Sequence, residues 1–144
     1  MRPVEDSSDA QPDLLLSLPN DPSAIRDSHA GLLRYLESFA IEARTLHRAE
    51  VILEELVSNV VRHATGARTV SVGARSRDGV IELTVEDDGP RFDPFAVPDP
   101  APFTSLEDAP LGGRGIMLVR KLSSDRHYER IEGRNRVSVT VAAA

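Results

Sequence analysis

The sequence predicts an α+β two-layer sandwich, a mainly antiparallel or mixed sheet with helices packed on one face. Three observations predict it. The segments Val70-x-Val72-x-Ala74, Ile81-x-Leu83-x-Val85 and Val137-x-Val139-x-Val141 alternate with period two, the pattern of strands that bury one face. Leu53, Leu56, Val57, Val60 and Ala64 recur at helical spacing and make one apolar stripe. The order strand, helix, helix, two strands, loop, helix, two strands lets every helix cover the apolar side of a single sheet and leaves the other side to water.

Residues 1–11 carry almost no apolar content and read as a flexible leader, with the domain proper over 12–144. Leu14-Leu15-Leu16-Ser17-Leu18 suits a first strand. Asp21-Pro22 is a helix start, because aspartate can accept the free N–H groups of a first turn and proline there forfeits no hydrogen bond. That helix is predicted to run to near Glu42, with Ile25, Leu32, Leu33, Leu36 and Phe39 on its apolar side. A second helix is predicted from near Thr45 to Ala64, with Gly66 as its stop. Arg77-Asp78-Gly79 between two alternating segments signals a hairpin.

From Pro90 to Leu111 no period survives, and six of the ten prolines lie there together with Phe92, Phe95 and Phe103. A loop of that length inside a compact domain is usually functional or disordered. Ile116, Met117, Val119 and Leu122 predict a third helix, and a turn through Gly133-Arg134-Asn135 pairs the last strand back on its predecessor.

A chain of 144 residues with 40% hydrophobic and 28% charged residues suits one globular domain. The absence of cysteine removes disulfide frameworks, thiolate metal sites and cysteine nucleophiles. No apolar run approaches the ~20 residues of a membrane span, and the acidic, polar start is not a signal peptide, so a soluble cytoplasmic protein is expected. A net charge of −6 without a polybasic block argues against direct nucleic-acid binding.

Three features carry chemistry. Glu55, Asn59 and Arg62 fall within roughly 60° on the second helix, away from its apolar stripe. On its own such a line is an ordinary solvated face. His47, Glu50 and Glu54 have no further ligand at metal spacing and read as surface residues. Asp87 shares the face of Ile81, Leu83 and Val85, so a carboxylate at the edge of the core needs donors from the protein or from a ligand such as the exocyclic amine of adenine. Taken alone, Asp87-Asp88-Gly89-Pro90 reads equally well as a strand-ending turn. Gly112-Gly113-Arg114-Gly115 opens the third helix, where glycines let backbone N–H groups approach an anion. It matches neither of the two common phosphate loops.

The conjunction is more specific than its parts. Glu-x-x-x-Asn on a helix, Asp-x-Gly after a strand, a proline-rich loop and Gly-Gly-x-Gly at a helix start resemble, in that order, the Bergerat-fold (GHKL) ATPase superfamily. Within it the sequence is similar to the anti-sigma factor serine-protein kinases of bacteria, over roughly Leu14 to Val141, and the short stand-alone length favours that branch. The resemblance implies ATP and magnesium as cofactors, with Asn59 as the magnesium ligand and Glu55 as the general base. It assigns Asp87 to the adenine amine and Gly89 to the space beside the base. Gly112, Gly113, Arg114 and Gly115, with Ile116 following, go to the phosphates, and a lid spans about 90–111. It further implies a sigma factor and an anti-sigma factor antagonist as partners, and a homodimer. Relatives continue Asp-x-Gly with a second glycine, where this chain has Arg91. Three functions suit the pattern: a serine kinase acting on the antagonist, a nucleotide-sensing binding module, and a detached histidine-kinase ATP domain.

Overall fold

Four segments with alternating apolar residues pair because those residues fall into common rows, and a more polar strand completes the sheet at one edge. The strands are β1 (Leu14–Pro19), β2 (Thr69–Arg77), β3 (Val80–Asp87), β4 (Asp125–Ile131) and β5 (Arg134–Val141), ordered β1-β2-β3-β5-β4 with every pairing antiparallel. The computed structural model describes residues 13–96 and 113–142. The leader over 1–11, positions 97–111 of the expected lid, Gly112 and the side chain of Arg114 lie outside the described residues.

The register aligns Leu14, Ala74, Leu83 and Val139 in one cross-strand row, and Leu16, Val72, Val85 and Val137 in the next. Both rows face the helices α1 (Ser23–Leu36) and α2 (Ala43–His63), with α3 (Gly113–Leu122) packed on α2. Leu32, Ile52, Leu53, Val57, Val72, Leu83 and Val139 are fully or almost fully buried between the layers. Leu83 sits on the central strand with no exposure, so Leu83→Ala is expected to destabilise the domain by about 2–5 kcal/mol. Urea unfolding followed by circular dichroism measures this, and a loss below about 1 kcal/mol would contradict that placement of the core.

Local chemistry sets most boundaries. Asp21 accepts the Ser23 N–H at 2.8 Å and Pro22 already has helical dihedrals, as expected of an aspartate–proline start. Asp78 and Gly79 have φ of 55° and 80°, the left-handed pair that a tight β-hairpin turn requires. Two expectations need correction. The first helix ends at Leu36, not near Glu42: once Leu36 is buried the chain tightens through a Phe39 N–H to Leu36 carbonyl bond. Glu42 is extended ahead of α2, and Phe39 packs against Tyr35 in a tilted pair with ring centroids 5.1 Å apart. The last hairpin turns on Glu132-Gly133, with φ of 50° and 78°, and not on residues 133–135. Asn135 is therefore a strand residue inside β5.

Candidate functional site

The row beyond the two apolar ones changes character. It runs Leu18, Val70, Asp87, Asn135, Arg130, so the helix-facing side of the sheet ends in polar groups. Asp87 is 7% exposed, and its Oδ1 accepts the Gly89 N–H at 2.8 Å and the Asn135 Nδ2 at 3.1 Å. Its second oxygen, Oδ2, has no protein donor among the described residues. The carboxylate that the sequence places at the core edge thus receives two donors on one oxygen and presents the other as an acceptor.

Asn135 holds the turn that follows. Its Nδ2 also donates to the Pro90 carbonyl at 2.8 Å, and its Oδ1 accepts the Phe92 N–H at 3.0 Å and the Tyr128 hydroxyl at 2.7 Å. Arg130 donates from Nη1 to the Gly89 carbonyl at 2.8 Å and to Asn135 Oδ1 at 3.2 Å. Asp88 faces the other way and accepts the N–H groups of Arg68 and Thr69 at 2.8 and 3.1 Å. Those bonds, the one from Thr69 first, hold its carboxyl below the usual carboxylate range. A Cβ on Gly89 would lie 3.0 Å from Asp87 Oδ1, 3.2 Å from the Ala64 Cβ and 3.3 Å from the Ala67 Cβ. Glycine is what lets this turn lie against the C-terminal end of α2. Arg91 is exposed.

The other half of the site is built from α2 and α3. Glu55 and Asn59 are half-buried and Arg62 is exposed. The Glu55 side chain lies against Gly115: a Cβ there would overlap Oε1 and come within 3.3 Å of Cδ. A residue without a side chain at 115 therefore admits the carboxylate to the first turn of α3, where backbone N–H groups lack intrahelical acceptors and the helix dipole favours negative charge. Gly113 opens that helix. Ile116 is buried, so what it can offer a ligand is its N–H in the same turn. The Asn59 carboxamide, one turn along α2 from Glu55, makes no side-chain hydrogen bond with the described residues.

The structure thus joins Asp87 to Gly89, and Glu55 to Gly115, at two places along one helix. At a rise of ~1.5 Å per residue, Glu55 and Ala64 lie roughly 13 Å apart along α2, with Asn59 between them. That spacing suits an elongated ligand with a donor at one end and an anion at the other. Among the described residues no group of three or more His, Cys, Asp or Glu could hold a metal ion by itself, and no helix is long and apolar enough to cross a membrane. A cavity of about 480 Å³ beside β4, lined by Asp93, Phe95 and residues 124–128, includes none of the expected site residues and touches the Asn135 cluster only at Tyr128. Sequence reasoning missed Asn135, Tyr128 and Arg130. The signal for Asn135 was present, since the alternation of Val137, Val139 and Val141 extends back to it.

Comparison with known proteins bears on the family and the fold. The family model of the histidine kinase-like ATPase domain matches residues 18–141. Serine/threonine-protein kinase BtrW of Bordetella bronchiseptica is 29% identical over 119 residues, covering 78% of this chain and 84% of BtrW. The crystal structure of the RsbU and RsbW domains of Rv1364c from Mycobacterium tuberculosis superposes with a TM-score of 0.61 at 18% identity over 90% of this chain. That likeness is one of fold, and this chain spans 32% of the solved one. The expected α+β sandwich with its helices on one face is the fold observed.

Proposed function

The chain belongs to the histidine kinase-like ATPase domain family, and from that premise we propose that it is an ATP-dependent serine-protein kinase of the anti-sigma factor type. It phosphorylates a serine or threonine of an anti-sigma factor antagonist in the cytoplasm and so controls how much sigma factor is available. A homodimer is the proposed assembly. One observation carries the reading: Glu55 meets the start of α3 at Gly115, one ligand's length along α2 from the Asp87 turn. Similarity to BtrW, a serine/threonine-protein kinase, supports the choice of a protein hydroxyl as acceptor.

In this reading the adenine amine donates to Asp87 Oδ2, and Gly89 leaves room for the base. The phosphates lie along α2 toward the N–H groups of residues 112–116, where the helix start favours anions. Magnesium fits the donor set, because the Asn59 side-chain oxygen is a hard ligand with no partner among the described residues, and phosphate oxygens and water commonly complete such a shell. When bound, the ion neutralises charge on the phosphates. Glu55 accepts the proton of the attacking hydroxyl as its oxygen bonds to the γ-phosphorus, the bridging P–O bond breaks and ADP leaves.

Incubation with γ-labelled ATP, magnesium and a purified antagonist tests the proposal. Label stable to acid and removed by alkali, as serine phosphate is, is the expected result. Acid-labile label would mark histidine phosphate and refute it. Unlabelled antagonist, with ATP still altering partner affinity, would refute the kinase in favour of a nucleotide sensor.

A further inference from the structure

We propose that Asn135 is a positioning residue that sets the base specificity of the pocket, an inference that rests on the ATP reading above. Asn135 is 3% exposed and stands directly across the sheet from Asp87. Its carboxamide is engaged on both sides: Nδ2 with Asp87 Oδ1 and the Pro90 carbonyl, Oδ1 with the Phe92 N–H, the Tyr128 hydroxyl and the Arg130 guanidinium. The Pro90 carbonyl can only accept and the Phe92 N–H can only donate, so these partners fix which end is nitrogen and which is oxygen.

That fixed orientation has a consequence for Asp87. Asn135 Nδ2 and the Gly89 N–H together commit Oδ1, and the carboxylate cannot turn without losing both donors. Oδ2 is then held as an acceptor. A base edge carrying an amine can meet it, whereas an oxo group at the same position would set lone pair against lone pair. Arg130 reinforces the arrangement by joining the Gly89 carbonyl to the same amide oxygen, so the turn from Asp87 to Phe92 is anchored on β4 and β5. None of these residues needs to touch the nucleotide; they act through Asp87.

Affinities for magnesium-ATP and for magnesium-inosine triphosphate, which has an oxo group where ATP has the amine, test this by titration calorimetry. The proteins are the unmodified chain, Asn135→Ala and the near-isosteric Asn135→Asp, each checked for folding by thermal melting. The unmodified chain is expected to prefer ATP by at least about ten-fold, the order that one hydrogen bond to a charged group supplies. In both variants ATP affinity should fall by about ten-fold or more while that for inosine triphosphate changes little, so the preference collapses toward unity. A purely structural brace would weaken both nucleotides by the same factor, and an unchanged ratio overturns the proposal. If neither variant folds, Tyr128→Phe removes one donor to Asn135 Oδ1, and a smaller fall in the same ratio is expected; an unchanged ratio again overturns the idea. Equal binding of both nucleotides by the unmodified chain would refute this inference and leave ATP binding standing, whereas binding of neither would refute the ATP reading and this inference with it.

Discussion

Asp87→Asn is expected to weaken ATP binding by about ten- to a hundred-fold while leaving the domain folded. The carboxylate has two acceptor oxygens, and Oδ1 already takes the Gly89 N–H and the Asn135 amide. Asparagine keeps one acceptor and replaces the other with a donor. If the new carbonyl stays with the two protein donors, an NH2 group confronts the adenine amine. If it turns toward the ligand, the NH2 group confronts the Gly89 and Asn135 donors instead. Either rotamer sets donor against donor, and losing a hydrogen bond to a charged group is worth about 1.5–3 kcal/mol, the stated range in affinity. Calorimetric titration with magnesium-ATP, beside a thermal melt, measures it; affinity within about three-fold of the unmodified chain would remove Asp87 from the site.

Glu55→Gln should separate chemistry from binding. Glutamine has nearly the same shape, so packing against Gly115 at the start of α3 persists, but an amide cannot accept the hydroxyl proton. Removal of a general base typically lowers the rate by about 10²–10⁴-fold. Single-turnover transfer from labelled ATP to the antagonist should fall by that factor, with the dissociation constant for ATP moving less than about five-fold. A rate equal to that of the unmodified chain would show that Glu55 supports the contact between α2 and α3 and is not the base.

The sheet and the helix stripes were legible because one physical rule produces both: each element buries a single face, so the period of its apolar residues reveals its type. Where tertiary packing overrides that rule, the period no longer marks the element. Phe39 continues the helical spacing of Leu32 and Leu36, yet tertiary packing ends the helix at Leu36 and leaves Phe39 36% exposed. Asn135 follows Gly133-Arg134 and looks like turn chemistry, but the left-handed pair is Glu132-Gly133, and Asn135 lies on the core face opposite Asp87. The need of Asp87 for donors was legible from its register with Val85 and Leu83, whereas Asn135 emerges as one of those donors only when the alternation of Val137, Val139 and Val141 is carried back through residues that resemble a turn. Gly115 shows the same limit. Its place in a glycine run suggests a backbone close to an anion, while its contact with Glu55 depends on how α3 lies across α2, which no local pattern encodes.

In the proposed complex one nucleotide lies along α2, with its base at Asp87 and its phosphates at the start of α3. A crystal structure with magnesium and a non-hydrolysable ATP analogue tests it most directly. The adenine amine is expected within hydrogen-bond distance of Asp87 Oδ2, the ion on the Asn59 side-chain oxygen, and the γ-phosphate near Glu55. A nucleotide bound with its base away from Asp87, or with its phosphates pointing away from Glu55 and Gly115, would contradict it.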